Sequence, residues 1–292
     1  MQNARATRLS GYAGVLASAV IFGFTPVLAA LSYQGGSNGV NMAFLRAALP
    51  LPVLYALARR HPKPDAAQRR LGAVLGLLLF GCTLLLYSSY AYIPVGLATT
   101  LHFLYPLYVV LYEWLVQRHS PGALRMAGLV LGLSGSMLFL QPGEGALHPA
   151  GLLTALLSGV LYAGYIVVLS RESQRPMPLY RLMFEVSRSG AALCLVAGLL
   201  LGRLTLRLTP QAWVCAVLVA LLASVVACVL FQAGVRIVGK TNAAIFSLLE
   251  PITSIVFSVL LLGDTLSPAK LTGCALILAG LLATALHRPH QE

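Results

Sequence analysis

Six ionisable side chains stand within otherwise apolar stretches of the sequence: Arg46, His102, Glu113, Glu185, Arg188 and Glu250. A charge or a titratable ring held in hydrocarbon is costly, so each is a functional candidate by default. Glu250 is the deepest, about ten residues from either end of its stretch and directly before Pro251. Two readings are open for it: a substrate or proton site, or a protonated structural acid tied to backbone freed by the proline. Glu185 and Arg188 are three residues apart, neighbours on one helical face that neutralise each other. Arg46 and Arg188 each lie about two turns inside the end at which their helix enters, within snorkelling reach of headgroups, and read as structural charge. Glu113 stands beside Trp114, an interfacial residue type, and reads as peripheral.

His102 has aromatic company, with Tyr105 three residues on and Tyr108 after another turn. Tyr87 and Tyr90 form a similar pair, while Phe22 and Phe24 early in the chain match Tyr162 and Tyr165 later. Such rings around one site would hold a flat or cationic organic solute by stacking and cation–π attraction. Gln232, Asn242 and Ser247 add uncharged hydrogen-bonding groups, which a polar solute needs. Pro106 and Pro251 each remove a backbone donor and kink their helix, so they read as hinges beside such a site; Pro26 and Pro50 carry less weight. An anionic phosphorylated solute is disfavoured, because the deepest positions carry no Lys or Arg.

The elements that position these residues are membrane spans. Only 10% of the 292 residues are charged and 58% are hydrophobic, with mean hydropathy +0.84; soluble domains carry about 25% charge. Residues 71–112 contain no Lys, Arg, Asp or Glu, enough for two crossings at about 20 residues each. A soluble enzyme, a disordered chain and a disulfide scaffold are excluded, and the five scattered cysteines read as small core residues. No zinc-ligand spacing, P-loop or nucleophile elbow is present, so neither cofactor nor enzymatic chemistry is expected. The net charge of +12 does not imply nucleic acid, because the basic residues fall between apolar runs rather than along one face.

Hydropathy and breakers divide the chain into ten spans: 11–31, 40–58, 71–92, 95–115, 122–140, 150–169, 181–201, 212–234, 241–262 and 268–286. With the N-terminus inside, fifteen Lys and Arg fall in inner segments and three, Arg203, Arg207 and Lys270, outside. That bias places both termini in the cytoplasm and the loop carrying Glu144 and His148 outside.

The chain also repeats. Leu104-Tyr105-Pro106, Gly128 and Gly135 recur at a shift of 145 as Leu249-Glu250-Pro251, Gly273 and Gly280; Phe22-Gly23-Phe24 answers Tyr162-Ala163-Gly164 at 140; Arg46 answers Arg188 at 142. Residues 1–145 and 146–292 therefore form two five-span repeats. An odd span number makes the second copy enter from the opposite side, giving inverted halves with a site between them near the midplane.

These same motifs, with Leu262-Gly263-Asp264 and Leu266-Ser267-Pro268, resemble the EamA-type drug/metabolite transporter superfamily over nearly the whole chain. The family pattern closes each repeat with Gly-Glu; here the second copy has Gly263-Asp264 and the first Arg118-His119. The resemblance implies an all-α, ten-helix carrier of small metabolites in the cytoplasmic membrane, often an exporter. The expected function is secondary export of an amino acid or related amphipathic metabolite by alternating access, with proton coupling. Alternatives are a carrier of quaternary amines or other organic cations, and a membrane scaffold or receptor without flux. The expected partners are a small-molecule substrate and lipids, with a monomer as the working unit.

Overall fold

A computed structural model describes residues 2–93, 95–118, 120–138, 148–172, 176–262 and 266–286. The fold is helical: α1 (Gln2–Gln34), α2 (Gly39–Ala48), α3 (Leu51–Ala58), α4 (Ala66–Ser89), α5 (Val95–His102), α6 (Tyr105–Leu115), α7 (Ala123–Met137), α8 (Pro149–Glu172), α9 (Leu179–Leu200), α10 (Pro210–Leu221), a π-helical turn (Leu222–Ala227), α11 (Cys228–Val238), α12 (Lys240–Phe246), α13 (Leu249–Leu262) and α14 (Pro268–Leu286).

Local chemistry fixes several helix starts. Asp65 and Gln68 form a reciprocal capping box at α4, with Gln68 N–H donating to Asp65 Oδ1 at 2.7 Å and Asp65 N–H to Gln68 Oε1 at 3.1 Å. Asn38 Oδ1 accepts from Asn41 N–H at 2.9 Å to start α2, and Thr209 with Pro210 behind it starts α10.

Seven segments are long and apolar enough to cross a membrane, among them Gly39–Ala58, Pro210–Val238 and Lys240–Leu261, each built of more than one helical piece. The chain is an integral membrane protein. Two further expected spans appear as shorter apolar helices, Ala123–Met137 and Pro268–Ala283. The remaining one, expected over 95–115, is divided into α5 and α6.

Prolines place the divisions. Pro106 and Pro251, equivalent at the shift of 145, lie second and third in α6 and α13, and the preceding turns at 103–104 and 247–248 correspond to within one residue at that shift. The second span is also broken, between α2 and α3, where Pro50 stands. Pro50 has no N–H for the Arg46 carbonyl four residues earlier. The Ser224 hydroxyl, from the π-helical turn, donates to that carbonyl instead at 3.0 Å. Pro50 thus shapes the site more than its sequence context suggests. Pro26 lies inside the continuous α1.

Packing follows the repeat. A Cβ on Gly135 of α7 would stand 2.5 Å from the Gly273 carbonyl oxygen of α14, and one on Gly280 would stand 2.5 Å from that of Gly128. A shift of 145 exchanges the two contacts, so α7 and α14 meet about a local two-fold. The backbones touch here because neither side carries a side chain.

Candidate functional site

The two divided spans bring most of the expected ring residues together. His102, at the end of α5, lies 5.5 Å from the Tyr105 ring and 5.4 Å from Tyr162 of α8, measured between centroids. Tyr105 and Tyr162 meet edge to face at 4.7 Å. Tyr162 stacks on Tyr165 at 5.8 Å and on Phe231 of α11 at 6.3 Å. Ser158 Oγ donates to the Ala155 carbonyl at 2.6 Å and lies 3.0 Å from His102 Nδ1. With the hydroxyl hydrogen so used, Nδ1–H is the donor and Nε2 the acceptor of the imidazole.

Glu250, in the first turn of α13, faces this cluster. It interacts electrostatically with Arg46, Tyr90, Tyr105, Tyr162 and Cys82. α1 passes directly behind it: a Cβ on Gly23 would stand 2.6 Å from the Glu250 carbonyl oxygen. Tyr87 and Tyr90 lie 5.8 Å apart between centroids, with Tyr87 beside Arg46 and Tyr90 in electrostatic reach of Glu250.

Arg46 differs from the snorkelling anchor expected of it. It is only 8% exposed, with its guanidinium carbon 5.8 Å from the centre of the Phe22 ring. Tyr87 and Cys228 stand beside the guanidinium. Its Nε is buried and has no hydrogen-bond partner. A cation is therefore buried in the helix packing, where a headgroup anchor was expected. Arg188 and Glu185 form the ion pair that their spacing suggests, at 2.5 Å, with side chains 56% and 6% exposed.

The remaining candidates divide between the cluster and the surrounding packing. Phe24 packs against Phe257 at 4.6 Å on the α1–α13 contact, outside the ring cluster. Asn242 donates to the Val238 carbonyl at 2.9 Å and reaches Tyr12 Oη at 3.4 Å, near the start of α12 rather than at its divided end. Ser247 stands beside Tyr105, but its hydroxyl hydrogen is engaged by the Ala243 carbonyl at 2.9 Å. Gln232 is buried in the cluster: its Nε2 donates to Tyr165 Oη at 3.1 Å and its Oε1 has no partner. Glu113 is less peripheral than its Trp neighbour suggests, because it pairs with Lys240 at 3.1 Å and joins α6 to α12. His148 stacks on Tyr92 at 5.0 Å between centroids. Glu144, His119 and Gly263-Asp264 lie outside the described residues.

Sequence reasoning missed Phe231, Ser158 and Tyr33, whose buried hydroxyl is unpartnered and interacts with Tyr87. Tyr33 sits in the last turn of α1, where a ring reads as interfacial. Among the described residues no group of three or more His, Cys, Asp or Glu could hold a metal ion. What the arrangement offers is an aromatic cluster with one acid and one guanidinium in electrostatic reach of it, near the turns that divide two membrane spans.

The chain belongs to the EamA-like transporter family, which matches it twice, over residues 9–141 and 149–286. It is similar to an uncharacterized transporter of Archaeoglobus fulgidus, 30% identical over 277 residues that cover 93% of this chain and 95% of that one. An uncharacterized transporter of Synechocystis sp. is 30% identical over 214 residues, 69% of this chain and 62% of that protein, so the chain matches about three fifths of the Synechocystis length. A crystal structure of a protein shares the fold with a TM-score of 0.77 at 20% identity, covering 96% of this chain and 98% of that one. Transport is accordingly the function of the class to which the chain belongs.

Proposed function

We propose that the protein is a secondary carrier exporting an amino acid or related small amphipathic metabolite across the cytoplasmic membrane. In this reading ten helices form two inverted repeats, 1–145 and 146–292, with both termini inside. Alternating access proceeds by rocking of one repeat against the other around a fixed site. The observation that carries the reading is the convergence of His102, Tyr105, Tyr162 and Glu250 beside the turns at 103–104 and 247–248, each of which precedes one of the matched prolines Pro106 and Pro251. The exchanged Gly135–Gly273 and Gly280–Gly128 contacts support a two-fold between the repeats.

Glu250 serves here as the proton site: it faces the rings and sits at a division where a small shift would alter its surroundings. The rings and Glu250 would equally suit a quaternary amine or another organic cation, the second reading.

Uptake and exchange of a pool of labelled metabolites in proteoliposomes tests the carrier. Accumulation of amino acids above empty liposomes is expected, and quaternary amines in their place would select the second reading. No flux of any member would leave a scaffold or receptor. Glu250→Gln, folded by thermal stability, should lose the pH dependence of flux; unchanged rate and pH dependence would make Glu250 a structural acid.

A further inference from the structure

We infer that Arg46 is the carboxylate-binding residue of the central site, and that the solute is held by its acid group on this guanidinium with its apolar body against the rings. The inference deepens the carrier reading by naming the chemical group that the site selects.

A guanidinium inside a membrane protein is expensive unless its charge and its five donors are met. Arg46 is more than nine-tenths buried, yet among the described residues no carboxylate stands within ion-pair distance of it. Its neighbours compensate partially: the Phe22 face at 5.8 Å, the Tyr87 hydroxyl and the Cys228 thiol. Nε has no partner at all. Glu250, the acid in electrostatic reach, forms no ion pair with Arg46 and leaves its donors unmet.

Two further buried polar atoms in the cluster have no partner, Tyr105 Oη and Gln232 Oε1. Orphaned groups at one buried place cost stability each, and a polar ligand that meets them recovers that cost. Of common metabolite groups, a planar carboxylate fits the guanidinium fork best, because it can accept two parallel N–H bonds.

Arg46 is also held firmly. Its carbonyl is tied to Ser224 across the break that Pro50 makes, so its backbone is fixed from a neighbouring span. A residue meant only to anchor a helix to headgroups needs no such tether. The equivalent Arg188 has its charge met by Glu185 and its side chain more than half exposed, so one repeat alone supplies the cation.

The test uses four probes of nearly the same shape: leucine, 4-methylpentanoate, leucine methyl ester and 3-methylbutylamine. Their binding to the purified full-length protein in nanodiscs is read by thermal stabilisation and equilibrium dialysis, in the wild type, Arg46→Gln and Arg46→Lys. The two acids should bind the wild type, and Arg46→Gln should weaken both by roughly ten- to hundredfold, the usual worth of a charge-assisted hydrogen bond. The ester and the amine should bind weakly and equally in both proteins. Arg46→Lys, which keeps the charge but not the fork, should fall between, and it carries the test if Arg46→Gln does not fold. Ester and amine binding as tightly as the acids, equal loss of acids and ester in the variants, or no binding of any probe would each overturn the assignment. Acid-selective binding without flux in proteoliposomes would instead overturn the carrier reading and leave Arg46 as assigned.

Discussion

The second and seventh spans are equivalents at a shift of 142 and carry the same arginine, but they put it to opposite uses. α9 runs unbroken over Leu179–Leu200, and three residues before Arg188 stands Glu185, which takes its charge. At the corresponding places the first repeat has Ala43 instead of the acid, and Pro50 where the second has Ala192. Without the acid, the Arg46 guanidinium is left to its neighbours; with the proline, its backbone is bound to another span through Ser224. A residue's role is thus set by what stands three before and four after it, not by its match in the repeat.

The largest effect should come where the repeats are truly alike. Gly135→Val and Gly280→Val each drive a side chain into a facing carbonyl, so both should lower stability by about 3 kcal/mol or more, and by similar amounts. Thermal unfolding in nanodiscs measures this, and a large inequality would break the two-fold at α7 and α14.

The arginines should then part company. Arg188→Met strands the buried Glu185 carboxylate and should cost about 1–3 kcal/mol, whereas Arg46→Met removes a cation with no ion-pair partner and should cost less than about 1 kcal/mol. Equal losses in the two variants would erase the distinction drawn between the spans.

For solute affinity, Tyr162→Ala should weaken binding roughly two- to twelvefold, the worth of one stacked ring. Phe22→Ala removes the face under Arg46 and should weaken the acids more than the ester of the probe set. Equilibrium dialysis with wild-type affinity in both would place these rings in packing alone.

A local effect concerns the tether. Ser224→Ala should cost about 1 kcal/mol by leaving the Arg46 carbonyl unmet, and this cost should vanish in a Pro50→Ala background, where residue 50 regains its N–H. A double-mutant cycle of unfolding free energies checks it.

The helical, membrane-spanning character of the chain and its family were legible because hydropathy and motif spacing are written along the chain. So was the Glu185–Arg188 pair, since three residues on a helix fix adjacency without any neighbour. Arg46 was not legible: depth counted along one helix cannot tell whether a long side chain turns outward to headgroups or inward over Phe22. Phe24 and Asn242 show the same gap from the other side, because matched spacing gives a residue's level but not its rotation about the helix. Ser224 could not be paired with Arg46 across 178 positions of sequence, although Pro50 announced that a carbonyl would need a donor.

The glycine contact between α7 and α14 has a consequence for how such a chain can change. Were the halves two identical chains joined about that axis, each would carry one arginine with one set of neighbours, and the site would present two equal charges or none. Because both copies lie on one polypeptide, a substitution alters a single side of the axis while the touching backbones keep the halves in register. An arginine with an acid beside it in one half and without one in the other is a form of polarity that only the joined chain can hold.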